Sequence, residues 1–281
     1  MRAAALVIAL CAAGAYAQDD GGIELTTDTP APAAPDSCTG QYDGPIVLGY
    51  QEADVATGRR LCPRNEIGLG THTLMVIDTP NYYGDVLVEA IVFASYKWDE
   101  KTELYGYLEA IDWEFVQNAS LKATNLSLGN LTVGATRQLW DRGPALLGGA
   151  TARLLLPTSF GTPGSRPLGI EAGHLTTWVP LHGLEVHTFI GGDLSIGLGS
   201  SGALPRGGGV LTVGAQYNPW RWAAVVLDLT GRLDSAHSYL APALALRFAF
   251  GQFGLEAAAS LPIAGDDRHD LVLGLRLSYR P

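Results

Sequence analysis

From Val210 to Asn218 the chain changes character at every residue: Leu211, Val213, Ala215 and Tyr217 alternate with Thr212, Gly214, Gln216 and Asn218. Between Leu271 and Tyr279 the odd positions are Leu271, Leu273, Leu275, Leu277 and Tyr279, set against Val272, Gly274, Arg276 and Ser278. A period of two puts successive side chains on opposite faces of a β-strand. Alternating segments of about ten residues, joined by turn residues, are the signature of a transmembrane β-barrel. Carried back along the chain, the pattern predicts an all-β, antiparallel, up-and-down transmembrane β-barrel of about 12 strands. They fall at 66–77, 86–98, 104–116, 126–139, 145–157, 169–180, 184–198, 209–218, 221–233, 239–250, 253–262 and 271–280. The first, third and sixth alternate poorly.

The connections give the barrel a polarity. Those at 99–103, 140–144, 181–183, 219–220 and 251–252 are short, whereas 78–85, 117–125, 158–168, 199–208, 234–238 and 263–270 are mostly longer. Outer-membrane barrels have short periplasmic turns and longer external loops. Trp98, Trp140, Trp178, Trp220 and Trp222 lie in or near the short turns, as an interfacial aromatic girdle requires. If Gly251-Gln252 is a two-residue hairpin turn, Phe250 stands opposite Phe253 and Arg247 faces Glu256 on the polar side.

Residues 1–17 read as a signal peptide: Arg2, an apolar run from Ala3, and Ala15-Tyr16-Ala17 as a cleavage site. A lipoprotein reading through Cys11 is disfavoured by bulky Leu10. Residues 18–44, rich in Asp, Thr, Ala and Pro, form a disordered or extended leader. Residues 45–65 are compositionally globular; they pack at the barrel mouth, or Pro45–Gln51 adds a short strand, and residues 66–281 form the barrel. With Cys11 removed, Cys38 and Cys62 remain, and in an exported chain a disulfide is the expected reading, two free thiols the alternative.

Composition narrows the class. Only 16% of residues are charged, whereas a soluble surface alone carries about a quarter to a third Lys, Arg, Asp and Glu. A soluble barrel would present those charges outward; here one face is Leu, Val, Ala and aromatic. That places the protein against lipid, with the outer membrane of a Gram-negative bacterium as the expected location. A net charge of −10 and the lack of a Lys/Arg cluster argue against nucleic acid.

The polar faces supply lumen candidates: Glu89, Lys97, Thr132, Gln138, Thr151, Arg153, Glu185, His187, Asp193, Asp228, Arg232, Arg247, Glu256 and Arg276. An ion-selective ring is dominated by one sign. These are mixed, so the lumen is either internally paired and nearly closed, or passes small polar solutes with weak selectivity. Twelve strands lie between the filled interior of eight and the open channel of sixteen. A passive channel or transporter for small polar solutes is the leading functional reading, a structural or surface-interaction barrel without an open pore the second, and an outer-membrane hydrolase the third.

Enzymatic chemistry finds little support, and neither a catalytic residue, a metal nor a cofactor is assigned. Asp266-Asp267-Arg268-His269-Asp270 resembles the rim acids and histidines of omptin proteases in residue type alone. His187 and Ser195 are eight residues apart, about 26 Å along a strand, too far for a catalytic pair. His174 and His187 on adjacent strands would offer a metal only two ligands. Sequons at Asn118, Asn125 and Asn130 are incidental in a bacterial outer-membrane protein.

The ending Gly274-x-x-Leu277-x-Tyr279 resembles the C-terminal assembly signal of bacterial outer-membrane barrels, with Val272 where a polar residue is usual and Arg280-Pro281 following the aromatic. The stretch from Val116–Ala119 through Asn130–Gly134, together with Leu154–Thr158, is similar to an uncharacterised predicted barrel family of Gram-negative bacteria. The resemblance implies a barrel, outer-membrane lipid around it and the barrel insertion machinery as a partner. It implies no activity.

Overall fold

The computed structural model describes residues 61–78, 83–117, 122–142, 146–157, 168–181, 183–196, 205–220, 222–234, 238–265 and 270–281. The expected signal peptide, the leader, residues 45–60 and Cys38 lie outside them. Fourteen strands follow in chain order: β1 (Glu66–Asp78), β2 (Tyr83–Lys97), β3 (Thr102–Gln117), β4 (Lys122–Ser127), β5 (Asn130–Asp141), β6 (Leu146–Pro157) and β7 (Leu168–Leu181), then β8 (Leu184–Ile196), β9 (Arg206–Trp220), β10 (Ala223–Asp234), β11 (Ser238–Phe250), β12 (Phe253–Ser260), β13 (Ala264–Gly265) and β14 (Leu271–Tyr279).

Pairing is antiparallel throughout and runs between chain neighbours, except that β5 pairs with β3, β13 with β11 and β14 with β12; β14 then returns to β1, Tyr279 opposite Ile67. The result is a closed barrel of twelve staves, because β4 and β5 share the stave beside β3, and β12 and β13 the stave beside β11. Closure joins the first stave to the last, which is what permits a sheet to sit in hydrocarbon.

Both interruptions have local causes. Between β4 and β5 the backbone passes so close to β3 that a Cβ on Gly129 would lie 2.3 Å from Glu109 Cβ. Only glycine fits there. Between β12 and β13 stands Pro262, which has no N–H to donate. The amides on either side still reach β11, Leu261 to the Pro242 carbonyl at 3.0 Å and Ile263 to the Leu240 carbonyl at 2.9 Å.

The predicted turn at 219–220 is displaced. β9 runs on to Trp220 and β10 begins at Ala223, with a bulge between the Ala223 and Val225 pairings. Pro219 falls in that bulge, where a missing ladder donor costs least. At the β11–β12 hairpin Gly251 has φ +63°, with nothing near the position its Cβ would take. The glycine is there for its backbone conformation, which a tight hairpin needs at its first turn residue.

Facing follows the alternation. Leu211, Leu227, Leu273, Leu275 and Leu277 are exposed outward, whereas Thr212, Thr230 and Arg247 are almost fully enclosed. Outward aromatics cluster near the short turns: Trp220 stacks on Trp222 at 5.2 Å, Trp222 on Phe248 at 6.2 Å, and Phe253 packs against Tyr279 at 5.3 Å.

The poorly alternating strands are explained by what they pack against. β1 turns Gly68 and Gly70 inward, making room for the Phe93 ring and the Arg276 stem. β3 carries a bulge: Ile91 pairs with Glu109 and Ala90 with Ile111, so Ala110 is extra and both Glu109 and Asp112 face inward. β7 points Leu175 inward while His174 is exposed on the outer face.

Candidate functional site in the barrel lumen

Charged side chains tile the inside of the β6–β10 wall. Arg153 lies opposite Glu171, its Nη2 2.7 Å from Glu171 Oε2. Glu171 is in turn opposite Asp193, whose Oδ2 accepts from Arg232 Nη2 at 2.5 Å. That last contact passes over β9, which presents Gly208 beside Asp193. Nearer the short turns, His187 Nε2 and Asp228 Oδ1 meet at 2.7 Å, both buried. They come from β8 and β10, and Gly214 of β9 is the register partner of each. A Cβ on Gly214 would lie 1.8 Å from Asp228 Oδ1 and 2.3 Å from His187 Nε2. The pair exists because the strand beneath it has no side chain at that point.

A second cluster closes the β11–β14 wall. Arg247 donates from Nε to Glu256 Oε2 at 2.6 Å and from Nη1 to Gln216 Oε1 at 2.6 Å. Arg247 and Glu256 stand opposite each other, as the two-residue hairpin predicts. Arg276, across from Glu256, has Nη1 4.0 Å from Glu256 Oε1 and its guanidinium 5.8 Å from the Phe93 ring centre. These charges are held by partners; removing one partner of a buried pair costs more than the pair itself contributes.

The β2–β3 wall is acidic. Glu89, Glu109 and Asp112 are all buried, with carboxylate oxygens within 4.8 Å of one another. His72 lies across from Glu89, Nδ1 to Oε2 3.8 Å. Glu109 Oε2 also accepts the Asn130 backbone N–H at 2.8 Å.

The chain ahead of β1 runs into this lumen. Leu61 and Cys62 are buried in one apolar cluster with Leu147, Leu175, Phe189 and Val210, inward residues of β6, β7, β8 and β9. Leu61 Cδ2 lies 2.5 Å from where Gly149 would carry a Cβ. The Arg64 amide donates to Glu103 Oε2 at 2.8 Å, Ser95 Oγ donates to the Arg64 carbonyl at 3.1 Å, and the Arg64 guanidinium pairs with Glu66. Residues 61–65 therefore cross from β1 to the opposite wall. Of the expected Cys38–Cys62 pair, Cys38 lies outside the described residues.

Of the lumen candidates, Glu89, Thr132, Gln138, Thr151, Arg153, His187, Asp193, Asp228, Arg247, Glu256 and Arg276 are buried on the inner face, and Arg232 nearly so. Glu185 is half-buried near the start of β8. Lys97 ends β2 and pairs with Glu100 at 2.6 Å, outside the network. His174 stacks outward on Trp140 at 6.1 Å, so it shares no face, and no metal, with inward His187. Asp266–His269 lie outside the described residues. His72, Glu103, Glu109, Asp112 and Glu171 were missed by sequence reasoning, although the doubled acid spacing across Ala110 is the trace a bulge leaves.

No family model and no curated protein sequence matches the chain. Solved structures do. The COG4313 outer membrane channel from Pseudomonas putida F1 superposes with a TM-score of 0.64 at 13% identity, covering 81% of this chain and 99% of that one. The KdgM porin in complex with disordered oligogalacturonate gives 0.52 at 9% identity, covering 77% and 99%. The translocator domain of autotransporter NalP from Neisseria meningitidis gives 0.50 at 16%, covering 80% and 90%. At these identities the likeness establishes the barrel fold alone.

Proposed function

We propose that this protein is an outer-membrane channel for small polar solutes, restricted by the segment that enters its lumen ahead of β1. The observation that carries the reading is the inner wall itself. A barrel needs only an apolar exterior to sit in lipid, yet this one keeps Arg153, Glu171, Asp193, Arg232, Arg247, Glu256 and Arg276 inside, where burying charge is costly. A charged, hydrogen-bonding wall is what a solute exchanging its hydration shell requires. The outer-membrane location is supported by the apolar outer face, by the aromatics near the short turns, and by a fold shared with solved outer-membrane barrels.

The restriction rests on Leu61 and Cys62. They fill an apolar patch that has no reason to exist in a purely aqueous pore. With that contact made, most inner side chains are shielded from water, which favours the second reading, a barrel without an open pore.

Planar-bilayer recordings separate the two. The full-length protein is expected to give small or brief conductance steps, and Leu61→Asp, which unseats the segment from Leu147, Leu175 and Phe189, larger and longer ones. If both remain silent while heat-modifiable gel mobility shows a folded barrel, the channel reading fails and the structural one stands.

A further inference from the structure

We propose that the outer wall carries a seat for one acyl chain of an external-leaflet lipid, in a groove across β8, β9, β10, β11 and β13. The inference rests on the membrane placement proposed above and not on an open pore. The groove has a volume of about 560 Å3, within the roughly 300–1,000 Å3 of small-molecule sites. Five of the residues that line it form one cross-strand row: Ile190 pairs with Leu211, Leu211 with Gly231, Gly231 with Leu240 and Leu240 with Ala264. Ile190 and Leu211 are exposed on the lipid-facing side, as is Leu233 beside them. Val210 and Arg232 also border the groove, but their side chains turn inward, so they meet it through backbone.

The row runs as an acyl chain does. Along it the distance to the strand end at the longer connections shrinks, from six residues at Ile190 (β8 ends at Ile196) and five at Leu211 (β9 begins at Arg206) to three at Gly231 (β10 ends at Asp234) and two at Leu240 (β11 begins at Ser238). Tilted barrel strands carry such a row obliquely through the bilayer, so the groove climbs from mid-depth at Ile190 to the external rim at Ala264. A second observation concerns its floor. Neither Gly209 nor Gly231 has a positive φ, and a Cβ added to them would meet nothing closer than 3.9 Å and 3.6 Å respectively. Neither turn geometry nor crowding within this chain calls for glycine at these positions, and glycine weakens a strand interior. Their missing side chains leave room on the lipid side. Lipid tails are as apolar as leucine, so inside a bilayer apolarity alone selects no chain; close packing does, and small residues permit it. A chain laid on Gly209 and Gly231 between Leu211 and Leu233 gains dispersion contacts that a flat leucine wall does not offer.

The test is photolabelling of the full-length barrel in phosphatidylcholine vesicles that contain a trace of phosphatidylethanolamine with a diazirine on one acyl chain, either at its methyl end or near the headgroup. The methyl-end probe should label Ile190 and Leu211 several-fold more than Leu275, an outward residue midway along β14 and away from the groove. The headgroup-end probe should label Leu240 and Ala264 several-fold more than Leu273, nearer the external end of β14. Gly209→Leu combined with Gly231→Leu fills the groove and should bring the row down to the level of β14, with heat-modifiable gel mobility reporting a folded barrel. If that variant does not fold, the comparison of the row with β14 in the wild type decides alone. Equal labelling of the two walls, or unchanged labelling in the folded variant, overturns the seat while leaving the barrel in the membrane. No labelling of either wall removes the membrane placement and the seat with it.

Discussion

Replacing Gly214 by alanine adds one methyl group to a 281-residue chain, and the structure assigns it a definite cost. The new Cβ would lie 1.8 Å from Asp228 Oδ1 and 2.3 Å from His187 Nε2, closer than any non-bonded carbon and oxygen can sit. The 2.7 Å contact between those groups must open. A hydrogen bond to a charged partner contributes about 1.5–3 kcal/mol, and a buried charge left without its partner raises the cost to about 3–5 kcal/mol. Because each side chain can rotate partly away, we expect Gly214→Ala to destabilise by about 2–4 kcal/mol, measured by denaturant unfolding in lipid vesicles. The control is the same substitution in a His187→Ala, Asp228→Ala background. With the obstruction gone, exchanging a strand glycine for alanine should stabilise by about 0.5–1 kcal/mol. The two effects then differ in sign. An equal cost in both backgrounds would show that Gly214 is required by its backbone, not by the pair above it, and the reasoning would be wrong.

Two further outcomes are expected. Leu227 points outward, and Leu227→Arg should cost about 2–4 kcal/mol in folding titrations into vesicles, as for arginine near a bilayer midplane; a loss under about 1 kcal/mol would place it in water. Tyr279 pairs with Ile67 at the seam and packs on Phe253, so Tyr279→Asp, like Leu277→Asp, should lower the amount of heat-modifiable folded barrel in the outer membrane, and unchanged levels would remove these residues from assembly.

The sequence by itself determined which residues face which way wherever the wall is regular. Leu271 to Tyr279 could be read because lipid on one side and polar groups on the other impose a strict period of two, and a one-residue slip would reverse every side chain. It also determined the Arg247–Glu256 contact, because a two-residue turn fixes the register of everything beyond it. What it could not determine depends on a third strand or on a remote segment. The meeting of His187 and Asp228, 41 residues apart, needs β9 between them and a glycine at one position of it. Local pattern contains neither fact. Leu147, Leu175 and Phe189 were illegible for the same reason: they turn inward against polarity because Leu61 and Cys62 cover them. The acidic cluster needed the bulge at Ala110, which adds one residue to β3 and none to β2. Periodicity is set by the solvent on each face of a strand, a local condition that the chain records residue by residue. Which side chains then touch across the lumen is set by closure of the barrel, and that exists only once Tyr279 has found Ile67.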